Sequence, residues 1–125
     1  MLKIQCCLWM LVCLLAGLAT GSTYIVQPDG SGDFPDIQAA IDAANHGDEI
    51  LLADGVFRGA GNINVEFRGK RIIVRSQSGC AGDCVIEPEG VYGQPGRRGF
   101  DFKANEGPDS ILRDITIRGG ASDDC

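Results

Sequence analysis

The chain has 125 residues, a formal net charge of −6 at pH 7, and 18 glycines. A chain of this length has room for one modest domain with a limited core. The excess of acidic over basic residues argues against nucleic acid as a partner, and an apolar content of 44% is too high for a disordered chain. We therefore predict one folded domain that is rich in turns.

The N-terminal segment, 1–19, has the pattern of a secretory signal. Lys3 precedes an apolar run from Cys6 to Leu18, and Gly17 and Ala19 are spaced like the small residues of a signal-peptidase site. We predict cleavage after Ala19, with the segment 20–125 secreted or displayed at the cell surface, and an uncleaved anchor as the alternative. The apolar run is shorter than the ~20 residues of a membrane-spanning helix and no second run follows, so we expect no membrane span in the mature chain.

Two elements are predicted next along the chain. TYIVQ at residues 23–27 is β-branched and aromatic and ends at Pro28, which is typical of a short strand. The following segment has apolar side chains at helical spacing, with Asp33 or Asp36 available as the N-cap and Gly47 as the stop. We predict a helix of about two to three turns whose apolar face is formed by Phe34, Ile37, Ile41 and Ala44.

The turn before this helix, DGSGDFPD, suggests two kinds of ligand site. A phosphate site fails on spacing, because the turn lacks the third glycine of a dinucleotide loop and the GK[ST] of a P-loop. A calcium site would use Asp29, Asp33 and Asp36, but no glutamate stands where an EF-hand requires it. We interpret the turn as the structural start of the helix, with Gly30 and Gly32 allowing the chain to reverse.

After Gly47, short apolar runs separated by Gly, Asn, Asp or Pro indicate strands. Ile50-Leu51-Leu52 recurs as Ile72-Ile73-Val74, and Ile63 with Val65 recurs as Val85 with Glu87 at the same spacing. A period of about 20 to 25 residues predicts a β-solenoid, with a β-sandwich as the alternative. The predicted strand regions are residues 49–57, 62–67, 70–76, 84–89, 99–104 and 110–120.

The order DGSGDF, IQAAIDAA, GDEILLADGVF, GKRIIVRSQSG, CVIEPEG and SILRDITIRGG, from Tyr24 to Gly120, resembles the N-terminal part of secreted right-handed parallel β-helix proteins of the pectin-lyase-like group. The resemblance implies an all-β fold, namely a right-handed parallel β-helix (a solenoid) of about three coils whose N-terminal end is capped by the α-helix. It also implies a non-catalytic scaffold or a module associated with polysaccharide.

The opening DGSGDFPDIQAAIDA is also similar to the start of pectin methylesterases, and polysaccharide lyases share the general fold. Those enzymes carry their catalytic acids, arginines or calcium ligands on coils in the middle of the helix. No residue of this chain matches such a motif, so we assign no catalytic, cofactor-binding or metal-binding residue and expect no cofactor. The alternative function is the N-terminal fragment of a polysaccharide lyase, esterase or hydrolase whose catalytic coils are missing.

Removal of the leader would leave three cysteines, Cys80, Cys84 and Cys125. In an exported chain Cys80 and Cys84 can form a local disulfide, and free thiols are the alternative. A zinc site is disfavoured because no second Cys/His pair accompanies them, and His46 is the single histidine of the chain. We expect His46 to help finish the helix, since the last helical turn favours a positive side chain.

Charged residues of the later strands could face a groove, because alternate strand positions point outward. We expect most of them to be solvated. They are Asp101, Lys103, Arg113, Asp114 and Arg118, together with Arg97 and Arg98 in a Gly/Pro-rich loop.

The last apolar segment, at residues 110–120, contains a break in its alternation. Ile111, Ile115 and Ile117 are in step while Leu112 is not, which predicts a corner near Arg113 and Asp114. Only ASDDC follows, which is too short and polar to cover the end of a solenoid. We therefore expect the solenoid to be incomplete at its C-terminus and to self-associate through that uncovered end.

Overall fold

The computed structural model describes residues 21–89 and 96–119, so the predicted leader and Cys125 lie outside the described residues. The described elements are short strands, one α-helix and one 3-10 helix. In chain order they are β1 (Thr23–Val26), α1 (Ile37–Ala43), β2 (Glu49–Leu52), β3 (Gly55–Phe57), β4 (Val65–Glu66), β5 (Ile73–Ser76), the 3-10 helix (Ala81–Asp83), β6 (Cys84–Ile86), β7 (Phe100–Asp101), β8 (Ile111–Arg113) and β9 (Thr116–Ile117).

The strands form three sheets, and every strand pairing among the described residues is parallel. Sheet 1 has the order β1-β2-β5-β8, sheet 2 has β3-β6-β9, and sheet 3 has β4-β7. From β2 to β9, consecutive strands enter sheets 1, 2 and 3 in turn. The fold is therefore all-β with parallel sheets and one helix, and the antiparallel pairing of a β-sandwich is not seen in the described residues.

The predicted period of about 20 to 25 residues holds between β2 and β5, but it is too short for the pairs of sheets 2 and 3. The partner of Ile50 is Val74, two residues beyond the partner Ile72 that the recurrence predicts. Val65 pairs with Phe100 and not with Glu87. The separation between partner strands is different again in sheet 2. The loops differ in length, whereas the register is set by which side chains point into the core, so a fixed period does not locate the partners.

The core lies between the three sheets and is built from columns of side chains at equivalent positions of successive strands. Ile50 and Val74 form one column, and both are fully buried. Phe57 and Ile86 form another in sheet 2, where both are again fully buried. In sheet 3 the fully buried Val65 pairs in register with Phe100, whose ring lies 6.2 Å from that of Phe67, the residue that follows β4. In the parallel pairings, side chains of similar type at equivalent positions therefore lie directly above one another.

Helix α1 forms in the predicted segment, but it ends at Ala43, before the predicted stop at Gly47. Asp36 is the N-cap, and its carboxylate accepts a hydrogen bond from the Ala39 N–H at 2.8 Å. Ile37 and Ile41 are fully buried on the face that packs against β1 and β4. Phe34 is not part of the helix, because it bridges Val26 in the chain segment that precedes the N-cap.

The C-terminus of α1 is closed by Lys70 and not by His46, which corrects the expectation from sequence. The Lys70 Nζ donates to the carbonyl oxygens of Ile41, Asp42 and Ala44 at 2.7, 2.9 and 2.7 Å. Carbonyls of the last helical turn are short of partners within a helix, and the negative end of the helix dipole favours a cation there.

The corner predicted near Arg113 and Asp114 is confirmed. Asp114 separates β8 of sheet 1 from β9 of sheet 2, and its backbone has a φ of 57°. Aspartate tolerates this left-handed conformation better than most residues. The corner explains the break in alternation, since Leu112 and Ile117 belong to different sheets.

Candidate functional site

The acidic turn that precedes α1 uses its carboxylates to hold its own backbone. Asp29 accepts from the Ser31 hydroxyl at 2.6 Å and from the Ser31 N–H at 3.0 Å, and these bonds lower the pKa of its carboxyl. Asp33 accepts from the Ile25 N–H at 2.8 Å. A Cβ on Gly32 would lie 2.4 Å from the Ile25 carbonyl oxygen. The structure therefore agrees with the interpretation of this turn as a helix start.

The N–H groups at the start of α1 are likewise occupied. Ile37 N–H donates to Asn62 Oδ1 at 3.0 Å, and Gln38 N–H donates to the Gly61 carbonyl at 2.9 Å. Together with the bond from Ala39 to Asp36, these contacts leave the first turn without donors for a phosphate. Asn62 lies on a distant loop, so its role could not be read from the helix sequence.

A cleft of about 460 Å³ opens on the outer side of sheet 1, at the start of its strands. Gly47, Arg71 and Asp109 hold equivalent positions, each two residues before a paired residue of β2, β5 or β8. A Cβ on Gly47 would meet no atom within 4 Å, which is consistent with open space above it. The cleft is lined by His46, Gly47, Asp48, Arg71, Ile73, Asp109 and Ile111.

Two polar residues of the cleft serve the backbone. His46 Nδ1 accepts from the Arg71 N–H at 3.0 Å. The buried Asp48 carboxylate accepts from the N–H groups of Ser22 and Asn45, both at 2.8 Å. Asp48 and His46 therefore hold together the start of sheet 1, and they form no hydrogen bond with each other in the described part of the chain.

The remaining cleft residues offer groups that can bind a ligand. Within residues 21–89 and 96–119, the side chains of Arg71 and Asp109 form no ion pair. Ile73 and Ile111 supply an apolar floor. Among the residues that the structure describes, no Ser or Cys lines the cleft beside His46. The cleft offers donors, acceptors and an apolar surface.

The charged residues singled out from sequence lie outside this cleft. Lys103 bridges Glu66 and Asp101 at 2.8 and 3.1 Å, and these hydrogen bonds raise the pKa of its ammonium group. Arg118 lies 3.5 Å from Glu87, and Arg113 lies 3.8 Å from Asp114. Arg98 approaches Asp101 at 3.7 Å. These are surface ion pairs of the kind that contribute little to stability.

The two described cysteines flank the 3-10 helix and differ in exposure. Cys80 is exposed and Cys84 is fully buried, and both are free thiols in the structure. Burial raises the pKa of the Cys84 thiol to about 11, and the Asp54 carboxylate adds to this effect. A thiol held in its protonated form is a poor nucleophile, so Cys84 is expected to oxidise slowly. The Cys80–Cys84 disulfide stays a prediction.

Comparison with known proteins gives no relative: no family model, curated protein or solved structure matches the chain. In the described residues, none of the helices has the length and apolar character needed to cross a membrane. No group of three His, Cys, Asp or Glu side chains in the same residues could hold a metal ion.

Proposed function

We propose that this chain is the N-terminal part of a right-handed parallel β-helix in an exported protein, and that it has a structural, non-catalytic role. The observation that carries this proposal is the cyclic order of the strands, in which each sheet receives one parallel strand per turn of the chain. Such an order is what a coil with three strands per turn produces, because each turn then pairs only with its neighbours.

The contacts of α1 support its role as a cap. The Gln38 side chain accepts from the Glu66 N–H at 2.9 Å and donates to the Glu66 carbonyl at 3.1 Å. Its amide thus occupies the edge of β4 as a neighbouring strand would. Asp33 does the same for Ile25 of β1, whose N–H binds the carboxylate while its carbonyl accepts from the Asp33 N–H. Both strand edges would otherwise be unpaired.

Association with carbohydrate is a second candidate role for the module, and the cleft beside sheet 1 favours it. Arg71 and Asp109 offer a donor and an acceptor above Ile73 and Ile111, a combination that suits a sugar ring with its hydroxyl edge and apolar face. We expect binding without turnover on pectin or related polysaccharides, with or without calcium. Turnover that disappears in Arg71→Ala or Asp109→Ala would contradict the non-catalytic role.

The architecture is tested by NMR of the purified chain. Nuclear Overhauser effects are expected between Ile50 and Val74, between Phe57 and Ile86, and between Val65 and Phe100, whose separations differ from sheet to sheet. Cross-peaks of antiparallel pairing would contradict a β-helix. Export is tested by N-terminal sequencing of secreted material, which should begin between Thr20 and Thr23. Soluble cytoplasmic protein that retains Met1 would contradict it.

A further inference from the structure

The cleft beside sheet 1 lies on the side of the fold and not at its end. It spans successive turns of the chain, because Gly47, Arg71 and Asp109 precede β2, β5 and β8. Arg71 belongs to the middle turn and has a described neighbour on either side. A further coil after β8 would lengthen this side of sheet 1 without covering it, because the coils of a solenoid stack along its axis.

His46 and Arg71 give the cleft two neighbouring hydrogen-bond donors. The Nδ1 atom of His46 accepts from the Arg71 N–H at 3.0 Å, so the neutral ring carries its proton on Nε2 and donates from that atom. The Gly47 N–H donates to the Arg71 carbonyl at 2.8 Å. Both bonds hold the backbone from which the Arg71 guanidinium extends. A carboxylate in the cleft can accept from both side chains.

Asp109 places a negative charge beside this positive one. Ile73 of β5 pairs in register with Ile111 of β8, and Arg71 and Asp109 each lie two residues before that pair. Paired strands are about 4.8 Å apart, so the two charged side chains start from neighbouring positions. They nevertheless form no ion pair with each other in the part of the chain that the structure describes. The cleft therefore presents both signs of charge to a ligand.

The two charges limit which sugars fit the apolar floor. Ile111 is 37% exposed and lies beside Ile73, which suits the C–H face of a sugar ring. A sugar with only a carboxylate would meet Asp109 as a like charge, and a sugar with only an amine would meet Arg71 in the same way. Like charges brought together weaken binding, so the cleft favours a ligand with one charge of each sign.

We propose that the cleft binds a zwitterionic amino sugar, that is, a saccharide unit with a free amine and a carboxylate. This inference rests on the association with carbohydrate proposed above and names the class of sugar. The carboxylate accepts from Arg71 and His46, the ammonium group donates to Asp109, and the ring lies on Ile73 and Ile111. Reversal of either protein charge should therefore change which sugar binds best.

The test is a titration of the purified chain with a matched set of sugars at neutral pH, followed by the NMR amide shifts of Arg71 and Ile73. Muramic acid carries both charges, N-acetylmuramic acid only the carboxylate, glucosamine only the amine, and glucose neither. The cleft is open to solvent, so we expect muramic acid to bind with a dissociation constant in the millimolar range. The other sugars should bind about fivefold or more weakly.

Charge reversals test the two roles separately. Arg71→Asp should weaken the binding of muramic acid about tenfold and make glucosamine the best ligand, whereas Asp109→Arg should make N-acetylmuramic acid the best ligand. The variant with both changes should again prefer muramic acid over the two singly charged sugars. The matched control is Arg113→Asp, which makes the same charge change on β8 outside the cleft and should leave the order of the sugars unchanged. Circular dichroism checks that every variant folds.

The outcomes separate this inference from the function on which it rests. Binding of glucose as tight as that of muramic acid would overturn the zwitterionic class and leave the association with carbohydrate intact. An unchanged order of sugars in Arg71→Asp, or a changed order in Arg113→Asp, would show that the charges of the cleft do not select the ligand. If none of these sugars binds, the inference is wrong, and titration with pectin oligosaccharides then tests the association with carbohydrate by itself.

Discussion

The two ends of the described fold differ in how their strand edges and core side chains are covered. At the N-terminal end, Gln38 and Asp33 occupy the hydrogen-bonding edges of β4 and β1, and Ile41 covers the core beneath them. At the C-terminal side of the described residues, Ile117 and Phe102 are about half exposed. Strands of parallel sheets can cover each other but not their own last layer, so closure requires a segment of different structure.

The largest expected effect comes from Ile86, compared with its register partner Ile117. Ile86→Ala removes a fully buried side chain and should lower the free energy of unfolding by about 3 kcal/mol. Ile117→Ala, one layer further, should cost about 1 kcal/mol or less because its side chain is 45% exposed. Urea denaturation at concentrations that keep the chain monomeric measures both. Equal losses would show that the Ile117 side chain is as well covered as that of Ile86.

The buried Cys84 thiol predicts a pH dependence of the free energy of unfolding. Its pKa is about 11 in the folded chain against 9.0 for a free thiol. Between pH 9 and 11 the unfolded chain therefore releases a proton that the folded chain retains. The stabilisation is complete below pH 9 and is lost as the pH rises to 11, by at most about 3 kcal/mol.

The contribution of Cys84 to this pH effect is measured by comparing the parent chain with a variant that lacks the thiol. Denaturation curves of the parent chain and of Cys84→Ala should converge in stability as the pH rises from 9 to 11, whereas Cys80→Ala should run parallel to the parent. Thiol labelling should modify the exposed Cys80 first. Rapid labelling of Cys84 in the folded chain would mean that the interior opens readily.

Two lysines differ in how much their ammonium groups should contribute to stability. Lys70→Met removes three hydrogen bonds to the carbonyls at the end of α1 and should cost about 2 kcal/mol. Lys103→Met removes an exposed bridge to Glu66 and Asp101 and should leave the melting temperature almost unchanged, because water already solvates these charges. Thermal melting of the two variants measures the difference. A larger fall in melting temperature for Lys103→Met than for Lys70→Met would contradict the role of Lys70 in stabilising the end of α1.

The elements of this fold could be predicted from local sequence, but their pairing could not. Alternating Ile, Leu and Val residues and the amphipathic pattern of residues 37–44 specify strands and a helix within a few neighbours. Pairing depends on loop length, and the separation between partner strands differs in each of the three sheets. Ser76 shows the same limit, because it stacks on Leu52 in a buried column and satisfies its hydroxyl with Ser78 and the Gly79 N–H.

The candidate site was beyond sequence reasoning for the same reason. Arg71 and Asp109 come together with His46 only because the registers of sheet 1 align the residues before β2, β5 and β8. Lys70 reaches the end of α1 from a loop that is distant along the chain. Local signals could indicate Asp36 as a cap, since its bond to Ala39 stays within the first turn, but they could not indicate partners brought in by the fold.

The smallest expected effect concerns Asp36, the N-cap of α1. Asp36→Ala removes the acceptor for the Ala39 N–H and should lower the free energy of unfolding by about 1 kcal/mol, whereas Asp36→Asn should be nearly neutral because asparagine caps equally well. Asp109→Ala, in the exposed turn before β8, is the matched control and should change stability by less than about 0.5 kcal/mol. Chemical denaturation of the monomer resolves these differences. If Asp36→Ala is as mild as Asp109→Ala, the helix is held by Asn62 and its buried face alone, and the covered end depends less on capping than its hydrogen bonds suggest.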